Sequence, residues 1–503
     1  MNLHTFSLYD FIRHNAEYAP DAAAIISPDG VQTHAQFRAN VDRLAAGLAE
    51  QGLQPGDRVA ILAQNSPAYL ELIAACARNR AIAYPINWRL TAHEVREVLA
   101  LAEAQLLVVG EGHLPQLEET DPERLPARFW LGDAPPEGFR PLADLYRDPD
   151  GVRFPDIQPA DPCVVISTAA VAGVPRGALL THANFVWAGY QLIAALGLTA
   201  QDRHLAALPF FHITGLGLSL AVMQAGGANV VLPRFDPALA VQMINRHTVT
   251  LLADFPPVLS MLLDARQQAG ASLDSLRYVL GLDAPDVIQR LYAETQARFW
   301  TGFGQSETSG LVTLQPVDEK PGAAGRPLPV VRLRCVDEDG NDVPAGQPGE
   351  IAVQGPLVFA GYWRDPDATA FTFRHGWHHT GDLGKLDEAG YLYYVGRKPE
   401  KELIKSGGEN VYPEEVERVL RELPEVAAVC VIGVPDPKWG EAVKAVIELA
   451  PGANLTEEQV VEAVVARIAS YKKPRQVAFV AALPRTEEGK VDRAAVKKKW
   501  GGG

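Results

Sequence analysis

Apolar residues recur at helical spacing from Asp42 to Gly52 (DRLAAGLAEQG) and again from Pro67 to Arg80. Short apolar runs lie between and after them: Arg58 to Leu62, Ala81 to Pro85 and Gln105 to Val109, with a further helical pattern from Thr91 to Ala102. Strands alternating with helices predict a mainly parallel sheet covered by helices. Proline-rich, acidic loops between about 111 and 161 separate this unit from a second of the same kind. The second opens with the strand Cys163 to Ile166 and runs to about Leu314. From Pro327 the rhythm changes to short strands and turns, such as Arg332 to Val336 before Asp339-Gly340, which predicts a β-rich subdomain. Beyond about 403 a helix (Pro413 to Leu423), two strands (Ala427 to Val434, Ala442 to Leu449) and a helix (Thr456 to Ser470) predict a compact α+β domain of roughly a hundred residues.

At 503 residues the chain is too long for one ordinary domain, and its 47% hydrophobic and 21% charged content is that of a soluble globular protein. The net charge of −15 argues against nucleic acid or anionic membrane as partner, so a polyanionic ligand has to be held by local donors and backbone. Cys76, Cys163, Cys335 and Cys430 lack paired spacing and read as reduced thiols of a cytoplasmic protein. The first residues lack the basic and apolar regions of a signal peptide. The uncharged run from His212 to Pro233 is broken by Gly226-Gly227 and reads as a buried helix–turn–strand unit, not a membrane span. A homodimer is left open.

The densest chemistry lies at Gly396-Arg397-Lys398-Pro399-Glu400-Lys401-Glu402-Leu403-Ile404-Lys405-Ser406-Gly407-Gly408-Glu409-Asn410, which crosses a domain boundary yet is rich in charge and glycine. A second segment, Pro484-Arg485-Thr486-Glu487-Glu488-Gly489-Lys490, sets a lysine in a polar turn. Together they closely resemble the hinge and the lysine loop of the adenylate-forming superfamily, which comprises acyl-CoA synthetases, luciferases and the adenylation domains of peptide synthetases. The resemblance extends over nearly the whole chain. It implies a large N-terminal domain of two stacked αβαβα-type units plus the β-rich subdomain (1–396), a hinge (397–402) and a small mobile α+β domain (403–503). It implies that a carboxylic acid is joined to AMP at the expense of ATP with Mg²⁺, then transferred to coenzyme A.

Carried over motif by motif, the resemblance assigns the site. Thr168 to Gly177 matches the family's phosphate loop at Thr168, Gly173, Pro175 and Gly177. Arg176 replaces a lysine there, and Ala169, Ala170, Val171 and Ala172 replace polar or glycine positions, so loop closure is expected to be weak. In Pro209-Phe210-Phe211-His212, the aromatic-His pair gates the acyl pocket and His212 orients the substrate carboxylate. Phe211, Thr214, Gly215, Phe255, Gly281 and Gly302 complete the expected acyl pocket, which shows no arginine to pair a second carboxylate and so favours a monocarboxylic acid, aryl, alicyclic or medium-chain aliphatic. Gly281-Leu282-Asp283-Ala284-Pro285 stands where the family has its adenine loop, with Asp283 at a usual glycine position. In Gly302-Phe303-Gly304-Gln305-Ser306-Glu307, Phe303 stacks on adenine, Ser306 bonds the α-phosphate and Glu307 holds Mg²⁺; Gly304, Gln305 and Ala284 belong to the same nucleotide set. Thr380-Gly381-Asp382-Leu383 supplies Asp382 to the ribose hydroxyls, and Arg397 reaches ribose or phosphate. Counting back from Ser406-Gly407-Gly408 places the hinge pivot at Lys401. Lys490 bridges carboxylate and α-phosphate in the adenylation step. Lys405, Gly407, Gly408 and Trp439 belong to the coenzyme A channel, brought in when rotation about the hinge withdraws Lys490. Two other readings stay open: transfer to a separate carrier protein, and a non-catalytic binder of nucleotide that kept the fold.

Overall fold

The computed structural model describes residues 6–121, 126–171, 174–398, 402–486 and 489–502, the side chains at 169–171 and 174–175 apart. The fold is the expected α/β one: a large N-terminal domain with two stacked sheets and a β-rich subdomain, and a small C-terminal α+β domain.

In the first sheet the strands Arg58–Leu62, Ile82–Pro85, Leu106–Gly110 and Ala127–Leu131 run parallel. Their residues are almost all buried, as both-face coverage by helices requires. In the second sheet Arg203–Ala206, Leu251–Asp254, Tyr278–Gly281 and Arg298–Thr301 are parallel in succession. Helices Leu8–Tyr18, His34–Glu50, Pro67–Arg78, His182–Leu196 and Ile213–Gln224 contribute to a core shared by both sheets, in which Val164 and Ala83 of one meet Ile25 and Val231 of the other through Leu44, Leu72 and Leu216. The uncharged run resolves into the helix Ile213–Gln224, a Gly226-Gly227 turn and the buried strand Ala228–Val231. Among the described residues no helix is long and apolar enough to cross a membrane.

The β-rich subdomain is an antiparallel sheet of Arg332–Val336, Gly349–Gln354, His378–Leu386 and Leu392–Arg397. In the small domain Gly440–Leu449 pairs with Val426–Asp436, with Gln476–Val480 and, through Gly440, with Ile404–Ser406, which in turn pairs with Glu409–Val411. The helix read from Thr456 to Ser470 is shorter, Glu457–Val465, and the chain turns after it at Ala466; the domain ends in a further helix, Arg493–Trp500.

The strand read at Cys163 to Ile166 is longer than the sequence suggests and begins at Pro162. It continues to Val171 and folds back antiparallel as Val174–Thr181, with Thr168 opposite Arg176. Within this segment Val171 and Val174 are β-branched and suit extended pairing, whereas the alanines carry no such preference. The helix expected after it starts at His182, capped by the Thr181 hydroxyl and the Asn184 amide.

Candidate active site

Parallel strands of an open α/β sheet leave their C-terminal ends on one edge, where ligands bind. On that edge a cavity of about 1010 Å³ opens between the second sheet, the β-rich subdomain and the small domain. It is lined by Thr168, His212, Thr214, Gly281, Asp283, Ala284 and Gly302 through Glu307 of the large domain, by Asp382 and Arg397 of the subdomain, and by Lys405, Gly407, Gly408 and Trp439 of the small one. Residues nearly three hundred positions apart thus meet in one space, as the motif readings expect.

Asp382 is nearly buried and is the most densely bonded of these groups. Its Oδ1 accepts from the Tyr394 hydroxyl at 3.1 Å and lies 3.1 Å from Arg397 Nε, while its Oδ2 accepts from the Gln305 amide. Gln305 also donates to the Thr380 carbonyl at 3.0 Å, so the two nucleotide motifs brace each other. Behind them the buried Glu350 accepts from the Gly381 amide and pairs with Arg374, His379 and Lys398 at 2.6–3.0 Å. Burial alone would raise its pKa; hydrogen bonds from His379 and Lys398 and the Arg374 and Lys398 charges outweigh that and hold it down at about 2. Phe303 lies nearly parallel to Tyr394, centroids 6.3 Å apart. Glu307, buried at the cavity wall, accepts from the Tyr362 hydroxyl at 2.9 Å.

Arg176 departs from its expected place. Its guanidinium pairs with Asp365 at 2.9 Å and lies over the Tyr362 ring, so it braces the hairpin and does not point charge into the cavity. Asp283 faces Asp254 at the end of the neighbouring strand. Gly215 does not line the cavity: it packs on the carbonyls of Leu208 and Pro209, and Gly217 lines the wall instead. Phe211, largely buried between His212 and Trp88, lines a small adjoining cleft between the domains. Arg89 and Arg234 line the large cavity as well as Arg397, so the expected absence of an arginine does not hold there. Gly173 and Lys401 lie outside the described residues.

The small domain presents the Lys405–Gly408 face to the cavity. Lys490 sits in an exposed turn, its carbonyl accepting from Thr486, and is not part of the lining. Gly407 and Gly408 have φ of +59° and +82°, a region that favours glycine, and a Cβ at Gly408 would stand 3.2 Å from Phe255. The half-buried Lys405 is pushed below the usual lysine range by burial and by Arg397 nearby.

Several contributors escaped sequence reasoning. Glu409, 7% exposed, lies 3.2 Å from His212 Nε2 and 2.9 Å from Arg89, and accepts from Asn87 at 3.3 Å. Burial would raise it, but His212 and Arg89 keep it below the ordinary carboxylate range. A second tie joins the domains at Lys472, whose buried ammonium contacts Glu94 at 2.6 Å and Glu415 at 3.0 Å. Tyr394, Tyr362 and Arg89 stand alone in the sequence, and only folding shows what they touch.

This geometry has close relatives. Residues 12–363 match the model of the AMP-binding enzyme family, and 415–490 that of the AMP-binding enzyme C-terminal domain. The chain is 37% identical over 500 residues to an indoleacetate–CoA ligase of Aromatoleum aromaticum, covering 98% of each. It is 36% identical to a feruloyl-CoA synthase of Amycolatopsis, covering 97% of each. Among solved structures, an o-succinylbenzoate CoA synthetase of Bacillus subtilis bound to a product analogue superposes with a TM-score of 0.86 at 28% identity, covering 97% of each chain. An amide bond synthetase of Marinactinospora thermotolerans gives 0.88, also at 28%, covering 98% of this chain and 100% of its own. The chain belongs to the AMP-binding enzyme family. It is an acid:CoA ligase of that family, with ATP and coenzyme A as co-substrates.

Proposed function

We propose that the enzyme activates an aryl monocarboxylic acid, of the arylacetic or arylpropenoic kind, to an acyl-adenylate and passes the acyl group to coenzyme A in the cytoplasm. The observation that carries this reading is the lining of the cavity, which includes Leu192, Leu218, Leu280, Trp300 and Leu311, packed in one apolar cluster that suits a planar apolar body, together with the polar Asp382 and Ser306. Two relatives named for aryl acids, indoleacetate and ferulate, support the same choice.

Each residue then has a task. Asp382 accepts from the ribose hydroxyls, Phe303 supports adenine, and Ser306 with Thr168 steadies phosphate oxygens. Glu307 would hold Mg²⁺: one carboxylate suits an ion bound mainly through phosphate oxygens and water, and Tyr362 fixes its orientation. The ion supplies charge neutralisation on the leaving pyrophosphate. His212, turned by Glu409, orients the acid's carboxylate toward phosphorus. Lys490 enters after rotation about 397–402, with Lys401 as pivot, and stabilises charge on the pentavalent phosphorus. The orientation described here serves the second step, with Gly408 against Phe255 and Gly407 against Trp439 to guide the pantetheine arm.

Pyrophosphate release measured over a panel of aryl, alicyclic, aliphatic and dicarboxylic acids, each with and without coenzyme A, tests the reading. Highest kcat/KM is expected for an aryl monocarboxylate with coenzyme A. A preference for a diacid would overturn the substrate assignment, and turnover with a carrier protein but not coenzyme A would overturn the acceptor.

A further inference from the structure

The strands Leu251–Asp254 and Tyr278–Gly281 run parallel with Asp254 level with Gly281. They approach so closely that a Cβ on Gly281 would stand 1.8 Å from the Asp254 carbonyl. The Asp254 side chain is wholly buried, and its Oδ1 accepts the Leu259 amide at 3.0 Å. Asp283, two residues beyond its strand, uses Oδ1 to accept the Ala284 amide at 2.7 Å. The second oxygen of each is buried and meets no N–H or hydroxyl donor among the described residues. Each carboxyl has the other as its remaining partner. Asp286, at the start of the helix Pro285–Glu294, is a third carboxylate that adds like charge at Asp283.

A wholly buried carboxylate in contact with a half-buried one resists ionisation of both, and a proton between them satisfies both orphaned oxygens at once. We propose that Asp254 is held protonated and donates from Oδ2 to Asp283, and that this bond positions the cavity-lining segment 281–284 where acyl group and nucleotide meet. Asp254 lies behind the wall and Asp283 in it, so Asp254 is a positioning residue, acting through its neighbour. Burial first, and then the Asp283 charge, push the Asp254 carboxyl well above the usual range, which agrees with a proton retained at neutral pH. Loss of that proton would set two like charges side by side and spread the two strand ends. The inference rests on the cavity being the acid and nucleotide site.

Infrared difference spectroscopy between wild type and D254N tests the proton itself, with no substrate present, and so fails or succeeds independently of that assignment. A protonated-carboxyl stretch that shifts in deuterated water and is missing from D254N is expected. Its absence from wild type at neutral pH, or its persistence in D254N, would overturn the proposal. Kinetics test the positioning. D254N keeps a donor toward Asp283 and an acceptor for Leu259, so it should retain near-normal KM values and lose the wild-type rise in KM at alkaline pH. D254A should raise KM for the acid and for ATP by about tenfold or more, with a smaller change in kcat. KM values in D254A equal to wild type, or the same alkaline dependence in D254N, would overturn the positioning role. Should D254A fail to fold, the infrared band and the D254N profile decide the matter.

Discussion

At Asp382 three donors converge on one carboxylate, so the group is oriented before a nucleotide arrives. Asp382→Ala should therefore weaken nucleotide binding by the value of hydrogen bonds to a charged acceptor, roughly 1.5–3 kcal/mol, seen as a rise in the KM for ATP with kcat less affected. An unchanged KM for ATP would refute the ribose role. Glu350 offers a test by pH. Its folded pKa is depressed to about 2, so it contributes stability above the unfolded carboxylate pKa and loses it as pH falls through the folded one. Wild type should melt progressively earlier as the solution is acidified from neutrality, and Glu350→Gln, already less stable at neutral pH, should show a shallower fall. Superimposable melting curves against pH would count against this. Which residues the sequence disclosed follows from contiguity. Asp382, Phe303 and Glu307 stand in short runs whose neighbours identify them. Asp254, Glu409 and Arg89 act through partners far away in the chain, and Arg176 was misplaced because its partner Asp365 is 189 residues off.

Elements show the same division. Periodicity located three parallel strands of the first sheet and the helices Pro67–Arg78 and Ala92–Ala102 to within a few residues, since burial on both faces leaves an unbroken apolar run, while the helix read from Asp42 begins eight residues earlier, at His34. The strand read at Cys163 to Ile166 came out short, because the antiparallel return at 174–181 that lengthens it is a pairing no periodicity in the strand itself reveals. The turn at Gly407-Gly408 was legible as a motif, and its reason is steric. Gly408→Val asks a β-branched residue to take a φ of +82° against Phe255. Thioester formation from supplied acyl-adenylate should fall sharply while pyrophosphate release from ATP is largely kept. The converse is expected of Lys490→Ala, whose turn lies outside the cavity: adenylation should be lost and thioester formation from supplied acyl-adenylate retained. Equal loss of both half-reactions in either variant would sink the division of labour between the two faces.

For the whole molecule, domain orientation is the property least visible in sequence, because it depends on side chains from both domains meeting in a buried interface. Lys472 with Glu94, and Glu409 with Arg89 and His212, form two such contacts. Glu94 also caps its own helix through Thr91 and accepts the Ala469 amide. Glu94→Gln leaves those neutral contacts possible and removes the ion pair, so the inward orientation should become less populated, about tenfold for each ~1.4 kcal/mol lost. Slower thioester formation with normal adenylation is expected, and an unchanged ratio of the two rates would show that the contact does not select the orientation.

Those ties also have a consequence in time. On the proposed alternation of faces between adenylation and thiolysis, Lys472 would part from Glu94 and Glu409 from Arg89, and rejoin them, once in every turnover. Charges leaving a dry contact have to collect water as they separate, and a domain of about a hundred residues must then swing through solvent. The cycle would be paced by friction as much as by bond making. Turnover should fall as sucrose or glycerol thickens the medium, whereas adenylation measured after the small domain has already swung to present Lys490 should scarcely notice it.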